Sequence, residues 1–338
     1  MINIQKDSVI YVLCPSFTKS GGPELAHQLV KQINNFGGNA QIAYYDIWGN
    51  ELKMNEAFKR YTQTFVDAKK IVDETKDIVI VPETHPEFLN WYKKAQKCIW
   101  WMSVDNYLRD HDFIKSLPIF GFKSIRRIIN TIVSEIKGKP YISNKVLHFY
   151  QSEYAKQYLK SCGVTNTIHL SDYLNEDYLN VDINTKRLNA VLYNPKKGLA
   201  FTQKLMKATP DIRWVPLQNM TTEQVKETLL HSKVYIDFGN HPGKDRFPRE
   251  AAMCGCCVIT GKRGSAKFFE DVPIDEEFKY EESTKTIPRI ISKIRECLDN
   301  YKTESTKFNG YREFIKNEYQ TFQDDVKSIF LSTENTTK

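Results

Sequence analysis

Six ionisable side chains lie within one short stretch of the chain, residues 239–259, which reads GNHPGKDRFPREAAMCGCCVI. They are His241, Lys244, Asp245, Arg246, Arg249 and Glu250. The stretch follows a strand-like run and leads into a helix that we expect to begin near Arg249. A carboxylate such as Glu250 is favourable at a helix N-terminus, but cations there are unfavourable unless an anion joins them. The pattern therefore favours a bound anion; the alternative is an ion-pair cluster between Asp245 and the arginines.

Two further loops contain residues that suit an anion. The loop SFTKSGGPE places Gly21 and Gly22 at the start of a helix, where backbone N–H groups can approach an anionic ligand. The alternative is a plain turn that requires glycine at positive φ. The loop YNPKKG places Lys196 and Lys197 between a buried strand and a helix, at the equivalent position in the second half of the chain. Neither a G-x-G-x-x-G spacing nor a Walker A pattern is present.

Candidates for acid–base chemistry follow apolar strands in the first half of the chain. Glu83 and His85 lie in VPETHPE, and Asp105 lies in WMSVDNY. Because ligands of open parallel sheets bind at the carboxyl ends of the strands, each of these side chains is a candidate general base. The alternative for each is a cap or turn residue.

Strand and helix patterns alternate through both halves of the chain, as in a parallel sheet with right-handed crossovers. The predicted strands are residues 9–14, 41–45, 78–81, 98–102, 188–193, 212–217, 234–238 and 256–260. A predicted helix covers 199–208, another begins with a capping box formed by Thr221 and Gln224, and a last one covers 308–330. The expected fold class is α/β, with two Rossmann-like doubly wound domains that face a central cleft.

The change in pattern along the chain gives the predicted domain boundaries. Residues 1–170 form the first domain, a polar stretch at 171–187 forms the linker, and residues 188–305 form the second domain. Residues 306–338 are expected to form a C-terminal helix that packs back on the first domain.

The composition is that of a soluble globular protein. Of 338 residues, 41% are hydrophobic and 26% are charged, and no signal peptide or membrane span is evident. Seven scattered cysteines indicate reduced thiols and a cytoplasmic location. Three of them, Cys254, Cys256 and Cys257, lack the spacing of metal ligands and are expected to be small buried residues. The net charge of +7 favours phosphate-bearing ligands or anionic lipid surfaces.

Residues 113–137 form a separate basic segment. Isoleucines and a valine from Ile125 to Ile136 mark one face of a helix, and Arg126 and Arg127 lie off that face. The pattern fits an amphipathic helix packed on its own domain. It also fits a surface helix that contacts an anionic membrane or a lipid-linked substrate.

Taken together, these loops and the REAAMCGCCVITGKRGSA segment resemble the GT-B glycosyltransferases, in particular the GT4-like group that makes bacterial surface polysaccharides. The resemblance covers nearly the whole chain and is strongest at residues 235–266. It implies that Gly21 and Gly22 face the diphosphate of the donor and that Lys196 or Lys197 neutralises it. It also implies that Glu250 holds the nucleotide ribose, and that Gly264, Ser265 and Ala266 lie close to the donor sugar.

One position departs from the family pattern. The family's first glutamate, which contacts the donor sugar, corresponds to Pro242 in this chain. Asp245 is the candidate to replace it, with Lys244 and Arg246 beside it.

The resemblance implies a function for the chain. It would transfer a sugar from a nucleotide-diphosphate sugar to a hydroxyl of a glycan or a lipid-linked saccharide, in surface polysaccharide synthesis. Lys196, Lys197, Arg246 and Arg249 could stabilise the departing diphosphate without a metal, so we expect no cofactor. The alternatives are a GT-B-fold sugar-nucleotide epimerase and a non-catalytic protein that binds anions or a membrane surface. No nucleic-acid motif is present. The expected location is cytoplasmic, peripheral at the inner face of the membrane.

Overall fold

A computed structural model describes residues 2–47, 49–112, 114–115, 117 and 141–331. The chain divides into two compact units. Unit 1 comprises Met1–Gln151, Ala155–Asp172 and Gln320–Lys338, and unit 2 comprises Ser152–Tyr154 and Tyr173–Tyr319.

Unit 1 is built on a parallel sheet. Its described strands have the order β3-β2-β1-β4-β5-β6-β7, and every adjacent pair is parallel. They are β1 (Ile10–Pro15), β2 (Ala40–Tyr45), β3 (Val66–Asp67), β4 (Ile78–Pro82), β5 (Gln96–Trp101), β6 (Leu147–Tyr150) and β7 (Thr167–His169). The order reverses between β1 and β4, and such a switch point is where open parallel sheets bind ligands.

The described helices of unit 1 connect consecutive parallel strands. They are α1 (Gly21–Asn35), α2 (Val104–His111) and α3 (Glu153–Ser161), whose first two residues belong to unit 2. Helix α1 buries Leu25, Leu29 and Ile33, as its apolar stripe predicts. It begins at Gly21, so Pro23 is its third residue. Within the first helical turn, the missing N–H of proline costs no helical hydrogen bond.

Unit 2 is built on a second parallel sheet, with the order β12-β11-β10-β8-β9 among the described strands. The strands are β8 (Leu188–Tyr193), β9 (Arg213–Pro216), β10 (Ser232–Asp237), β11 (Cys257–Gly261) and β12 (Lys279–Tyr280). The helices are α4 (Leu199–Ala208), α5 (Thr222–Leu230), α6 (Arg246–Met253), α7 (Ile287–Asp299), α8 (Tyr301–Glu304) and α9 (Asn309–Phe330), whose last residues belong to unit 1. The predicted class, two doubly wound α/β units, is confirmed.

Local sequence signals explain several helix ends in unit 2. Thr221 and Gln224 form the predicted capping box at the start of α5. Helix α6 begins at Arg246 with Asp245 as its N-cap residue, so the predicted start near Arg249 is wrong. Pro248 is the third residue of α6, within the first turn, where the missing N–H has no helical partner to lose. The cysteines 254, 256 and 257 are all buried and unbridged, as expected for small core residues.

The predicted basic segment at residues 113–137 lies outside the described residues, apart from positions 114, 115 and 117. Within the part of the chain that the structure describes, no helix has both the length and the apolar character needed to cross a membrane.

Candidate functional site

A cavity of about 230 Å³ lies in unit 1 at the carboxyl ends of β1, β4 and β5. Polar and flexible groups on its wall include Ser20, Tyr45, Glu83, Met102, Ser103 and Asn106. Its position at the switch point of the sheet follows from the topology, since β1 and β4 send their following loops in opposite directions there. The cavity is therefore the place in unit 1 where a small ligand would bind.

Glu83 is the acidic group in this cavity. It follows β4 directly, and only 2% of its surface is exposed. The backbone N–H of Met102 donates a hydrogen bond to Glu83 Oε2 over 3.1 Å. Burial raises the pKa of Glu83 to about 8, because it outweighs the lowering effect of the backbone N–H groups and of the Arg109 guanidinium. A carboxyl group with this pKa can exchange a proton near neutral pH.

Gly21 and Gly22 form the start of α1, and Gly22 lines the cavity. Neither glycine has a positive φ, so the alternative of a turn that requires glycine is wrong for both. A Cβ atom at Gly22 would meet the side chain of Met102 at 3.8 Å, an ordinary contact. The absence of side chains leaves the N-terminus of α1 accessible beside the cavity.

The other two candidates of unit 1 are not among the residues that line the cavity. His85 Nδ1 lies 3.1 Å from Glu87 Oε1, and its ring stacks on Phe88 with 4.9 Å between the ring centres. Asp105 is the second residue of α2 and is 2% exposed. Of the predicted acid–base residues in unit 1, only Glu83 faces the cavity.

In unit 2, two glycines bring the loops after β8 and β10 into backbone contact. Gly198 is the N-cap residue of α4 with φ of 55°, and a Cβ there would lie 2.2 Å from the carbonyl oxygen of Phe238. Gly239 has φ of 108°, and a Cβ there would lie 2.6 Å from the nitrogen of Gly198. Only glycine permits this approach. It brings the loop that contains Lys196 and Lys197 next to the charged loop of residues 239–245.

Lys197 belongs to a cluster of charged side chains in these two loops. Its ammonium group forms an ion pair with Asp245, whose side chain is 16% exposed. Asp245 Oδ2 also lies 2.8 Å from His241 Nδ1, and His241 Nε2 lies 3.2 Å from the backbone carbonyl of Asp237. Both His241 and Asp237 are buried. Lys196, by contrast, is exposed, and its backbone N–H donates to the Asn194 side chain.

The pKa shifts in this cluster follow from burial and opposite charge. Burial alone would raise the pKa of Asp245, but the charges of Lys197 and His241 outweigh burial and lower it. Burial would lower the pKa of His241, but Asp237 and Asp245 outweigh it and raise the pKa. Burial raises the pKa of Asp237, partly offset by Lys197 and His241. His241 therefore favours its cationic form between two acidic residues.

Two of the predicted anion-binding cations already have a carboxylate partner. Lys244 Nζ lies 2.8 Å from Glu318 Oε1, and Arg249 Nη1 lies 2.8 Å from Glu318 Oε2. Arg249 and Glu318 are both almost fully buried. The premise that a ligand must compensate these cations is therefore wrong for Lys244 and Arg249, because Glu318 of α9 does so. The alternative of an Asp245–arginine cluster is wrong for its side chain, because the ion-pair partners of Asp245 are Lys197 and His241.

Arg246 and Glu250 form a pair one helical turn apart at the start of α6. Arg246 Nε lies 3.2 Å from Glu250 Oε1, and the guanidinium side chain is 32% exposed. Glu250 lies one turn inside the helix, rather than opening it, and is 7% exposed. The pair presents a partly exposed cation beside a mostly buried carboxylate.

Gly264 and Ser265 contact the backbone of the charged loop of residues 239–245. Ser265 donates its backbone N–H to the carbonyl of His241 over 2.9 Å and its hydroxyl to the carbonyl of Gly243 over 2.6 Å. Gly264 has φ of 58°, and a Cβ there would lie 2.0 Å from the carbonyl oxygen of His241. Ser265 and the adjacent Ala266 are fully buried. These contacts fix the loop that carries His241 and Asp245.

Three residues of the cluster have side chains that could ligate a metal ion. The ligand atoms of Asp237, His241 and Asp245 all lie within 4.8 Å of one another. Two carboxylates and an imidazole suit a divalent transition metal, but the Lys197 ammonium already brings a positive charge to Asp245.

The sequence prediction missed Asp237 and Glu318 and gave His241 no role of its own. The spacing of Asp237, His241 and Asp245, four residues apart each time, is the signal that could have identified the cluster.

No protein-family model matches the chain, and no curated protein is significantly similar to it in sequence. Similarity is found among solved structures. A TarM mutant from S. aureus, in complex with fondaparinux, alpha-GlcNAc-glycerol and UDP, has a TM-score of 0.56 at 14% identity. The match covers 78% of this chain but only 57% of TarM.

Two further structures match this chain over almost the whole length of both proteins. Sucrose-phosphate synthase from Thermosynechococcus elongatus has a TM-score of 0.65 at 12% identity, covering 96% of this chain and 98% of the synthase. HepE from Anabaena in complex with UDP-glucose has a TM-score of 0.58 at 10% identity, covering 95% and 98% of the two chains. At such identities the similarity shows the fold. The predicted GT-B fold is therefore confirmed.

Proposed function

We propose that this protein is a glycosyltransferase that moves a sugar from a nucleotide-diphosphate sugar to a hydroxyl group. The observation that carries the proposal is the Lys196–Lys197–Gly198 loop at the N-terminus of α4, in a chain with the GT-B fold. TarM and HepE, which share this fold, are described with UDP or UDP-glucose. The loop has the features that a diphosphate requires.

The first requirement is compensation of the charge on the departing diphosphate. The N-terminus of α4 supplies backbone N–H groups, and Lys196 and Lys197 supply cations within the same loop. Arg246 can add a further positive charge from the start of α6. Charges that are already in place when the glycosidic bond breaks stabilise the transition state without reorganisation. We propose that these groups act without a metal ion.

The second requirement is a partner for the nucleotide ribose. A mostly buried carboxylate can accept hydrogen bonds from the two hydroxyls of a ribose. We assign this role to Glu250, whose Oε1 lies 3.2 Å from Arg246 Nε. We also propose that the loop around Gly264 acts indirectly, because its hydrogen bonds hold the loop of residues 239–245.

The third requirement is an acceptor hydroxyl and a base. We propose that the hydroxyl enters the unit 1 cavity beside Glu83, and that Glu83 removes its proton in an inverting reaction. The cavity of about 230 Å³ is smaller than the roughly 300–1,000 Å³ of typical ligand pockets. It suits one saccharide unit of an acceptor rather than a whole glycan. We infer that the acceptor is a glycan or a lipid-linked saccharide of surface polysaccharide synthesis, in the cytoplasm at the membrane face.

Nucleotide binding tests the proposal most directly. We expect UDP, GDP or ADP to raise the thermal unfolding temperature of the full chain, because a ligand that binds only the folded state stabilises it. Glu250→Ala should weaken binding of the preferred nucleotide, and Glu281→Ala, at an exposed acid of the same unit, should not. No thermal shift with any of the three nucleotides would contradict the proposal.

A donor screen identifies the reaction. Sugar nucleotides are incubated with saccharide acceptors, and NMR reads the anomeric configuration of the product. Inversion is expected if Glu83 is the base, whereas retention would remove that role. A sugar nucleotide that changes configuration without an acceptor would instead identify an epimerase.

A further inference from the structure

A cluster of four ionisable side chains lies beside the proposed phosphate site; its members are Asp237, His241, Asp245 and Lys197. We propose that Asp245 and His241 are positioning residues that hold the Lys197 ammonium group at the start of α4, where it meets the donor diphosphate. A side-chain cation would thereby take the place that a divalent metal ion could occupy. This inference rests on the proposed function, because it concerns the same phosphate site.

The charges of the cluster balance only when all four residues are considered. In their ionised forms Asp237 and Asp245 carry two negative charges, which equal the two positive charges of Lys197 and a protonated His241. An isolated charge in a buried position is strongly unfavourable, whereas paired charges with direct contacts are tolerated. Both ring nitrogens of His241 face oxygen atoms, which a neutral imidazole could satisfy at only one position. The contacts with oxygen atoms on both sides of the ring favour a protonated His241 beside an ionised Asp245.

The backbone geometry directs Lys197 toward this cluster. Lys197 immediately precedes Gly198, and the contact between Gly198 and Phe238 joins the ends of β8 and β10. A lysine side chain that is 23% exposed, on one of these joined ends, reaches the carboxylate on the other. A flexible lysine loses rotamer entropy when it is ordered, so a lysine held in advance binds an anion with a smaller entropic cost.

A resident metal ion is the competing interpretation of the same atoms. Asp237 Oδ1 is buried and accepts no hydrogen bond among the described residues, so this oxygen is available as a ligand for a cation. However, the Lys197 ammonium forms an ion pair with Asp245, one of the three possible ligands. A divalent ion in that position would lie beside an ammonium group and be repelled by it. The ammonium group is therefore the better assignment.

The inference also gives Asp245 a different role from the one expected from its sequence position. A carboxylate that replaced the glutamate absent at Pro242 would contact the donor sugar directly. Asp245 instead directs Oδ2 at Lys197 and His241, so its effect on the donor passes through the lysine.

A double-mutant cycle on UDP affinity tests this indirect role. UDP is titrated by calorimetry into four proteins: the wild type, Lys197→Met, Asp245→Asn and the double variant. GDP or ADP replaces UDP if that nucleotide is the one that raises the unfolding temperature. Loss of one charge-assisted contact should weaken binding by about tenfold in each single variant. Because Asp245 acts through Lys197, Asp245→Asn should have no further effect in the Lys197→Met background. Independent, additive losses would overturn the inference.

Two controls separate positioning from general damage. Asp211→Asn removes a carboxylate from an exposed ion pair with Arg295 in the same unit and should leave UDP affinity unchanged. Asp245→Glu, which keeps the charge, should recover part of the affinity that Asp245→Asn loses. Equal losses in Asp245→Glu and Asp245→Asn would overturn the inference.

A metal titration and the wild-type affinity complete the test. Unchanged UDP affinity in EDTA supports the lysine as the resident cation. Stoichiometric Mn²⁺ binding by the wild type that is lost in Asp245→Asn would assign the cluster to a metal and overturn the inference. If the wild type binds none of UDP, GDP and ADP, the proposed function itself fails. If it binds one of them but the cycle is additive, only the positioning role fails.

Discussion

Glu83 and Asp245 are both mostly buried carboxyl groups beyond the end of a parallel strand, but their surroundings differ. Glu83 follows β4 and contacts the backbone N–H of Met102, so burial dominates and raises its pKa to about 8. Asp245 lies in the loop after β10 and contacts Lys197 and His241, so opposite charge dominates and lowers its pKa. The presence of cations in direct contact decides the direction of the shift.

This difference separates two kinds of acidic residue. A carboxyl group whose pKa is near neutral can gain and lose a proton during a reaction, which suits Glu83 for acid–base chemistry. A carboxylate whose pKa is lowered by neighbouring cations suits a structural or positioning role, as we propose for Asp245. The sequence analysis predicted that both residues take part in the reaction, because a sequence does not show which side chains contact them.

Replacing the Glu83 carboxyl group should have the largest effect. We predict that Glu83→Gln lowers kcat by roughly 10²–10⁴-fold, the usual contribution of a general base. The affinity for UDP should stay the same, since we place the nucleotide in unit 2. Steady-state kinetics and calorimetry measure the two quantities. Glu87→Gln is the matched control, because Glu87 contacts His85 and is not among the residues lining the cavity. Equal activity of Glu83→Gln and the wild type would show that Glu83 is only a buried acid.

Disturbing the loop that carries His241 and Asp245 should have the next largest effect. A Cβ at Gly264 would lie 2.0 Å from the carbonyl oxygen of His241, so the backbone must shift. We predict that Gly264→Ala lowers the free energy of unfolding by roughly 2–4 kcal/mol, from the positive φ together with overpacking.

Gly37 supplies the matched control for this change. It also has a positive φ, of 85°, but nothing lies within 4 Å of a Cβ built there. Gly37→Ala should therefore cost only about 1 kcal/mol, the price of the backbone conformation. Urea unfolding of both variants measures the difference. Equal losses would mean that the contact with the His241 carbonyl relaxes without cost.

Removing the cation beside Asp245 should leave burial as the main influence on its pKa, as it is for Glu83. In the wild type the lowered pKa of Asp245 contributes stability that is present above its unfolded pKa and is lost as the pH falls through the folded pKa. Lys197→Met should raise the pKa of Asp245. We predict that the variant is less stable than the wild type by on the order of 2 kcal/mol at pH 7, and that the gap narrows toward pH 4.

Urea unfolding at the two pH values checks this prediction. Lys207→Met, at an exposed lysine near the end of α4, is the control and should show no pH-dependent gap. A gap for Lys197→Met that is the same at both pH values would mean that the lysine contributes packing rather than charge.

Local patterns predicted much of the fold. Strand β4 is a continuous, buried apolar run, and β8 ends in one at residues 190–193; both strands were predicted to within one residue. The short edge strands β3 and β12 have only two residues each and lack such a pattern, so they were not predicted. The fold class was predictable because the alternation of strands and helices is a local property.

The charged contacts of the site were less predictable. Glu318 neutralises Lys244 and Arg249 from 69 or more positions away in the chain, and nothing in its own sequence neighbourhood indicates this role. The pairing of Lys197 with Asp245 spans 48 positions and depends on the close approach of Gly198 and Gly239. Sequence reasoning identified the charged residues but not which charges compensate one another, because pairing is decided by the tertiary structure.

The pH dependence of stability at Glu83 tests the comparison with Asp245 most directly. The folded-state pKa of about 8 lies above the ordinary value of 4.5, so the folded state binds the proton more tightly than the unfolded chain. The contribution of Glu83 to the free energy of unfolding is fully present below about pH 4.5. It falls as the pH rises toward 8, by at most about 1.4 kcal/mol per pH unit. Glu83→Gln cannot ionise and should not show this fall, so the variant gains relative to the wild type between pH 5 and pH 8. Urea unfolding across this interval measures the gain. If the two proteins lose stability in parallel, Glu83 is ionised throughout, and its contrast with Asp245 does not hold.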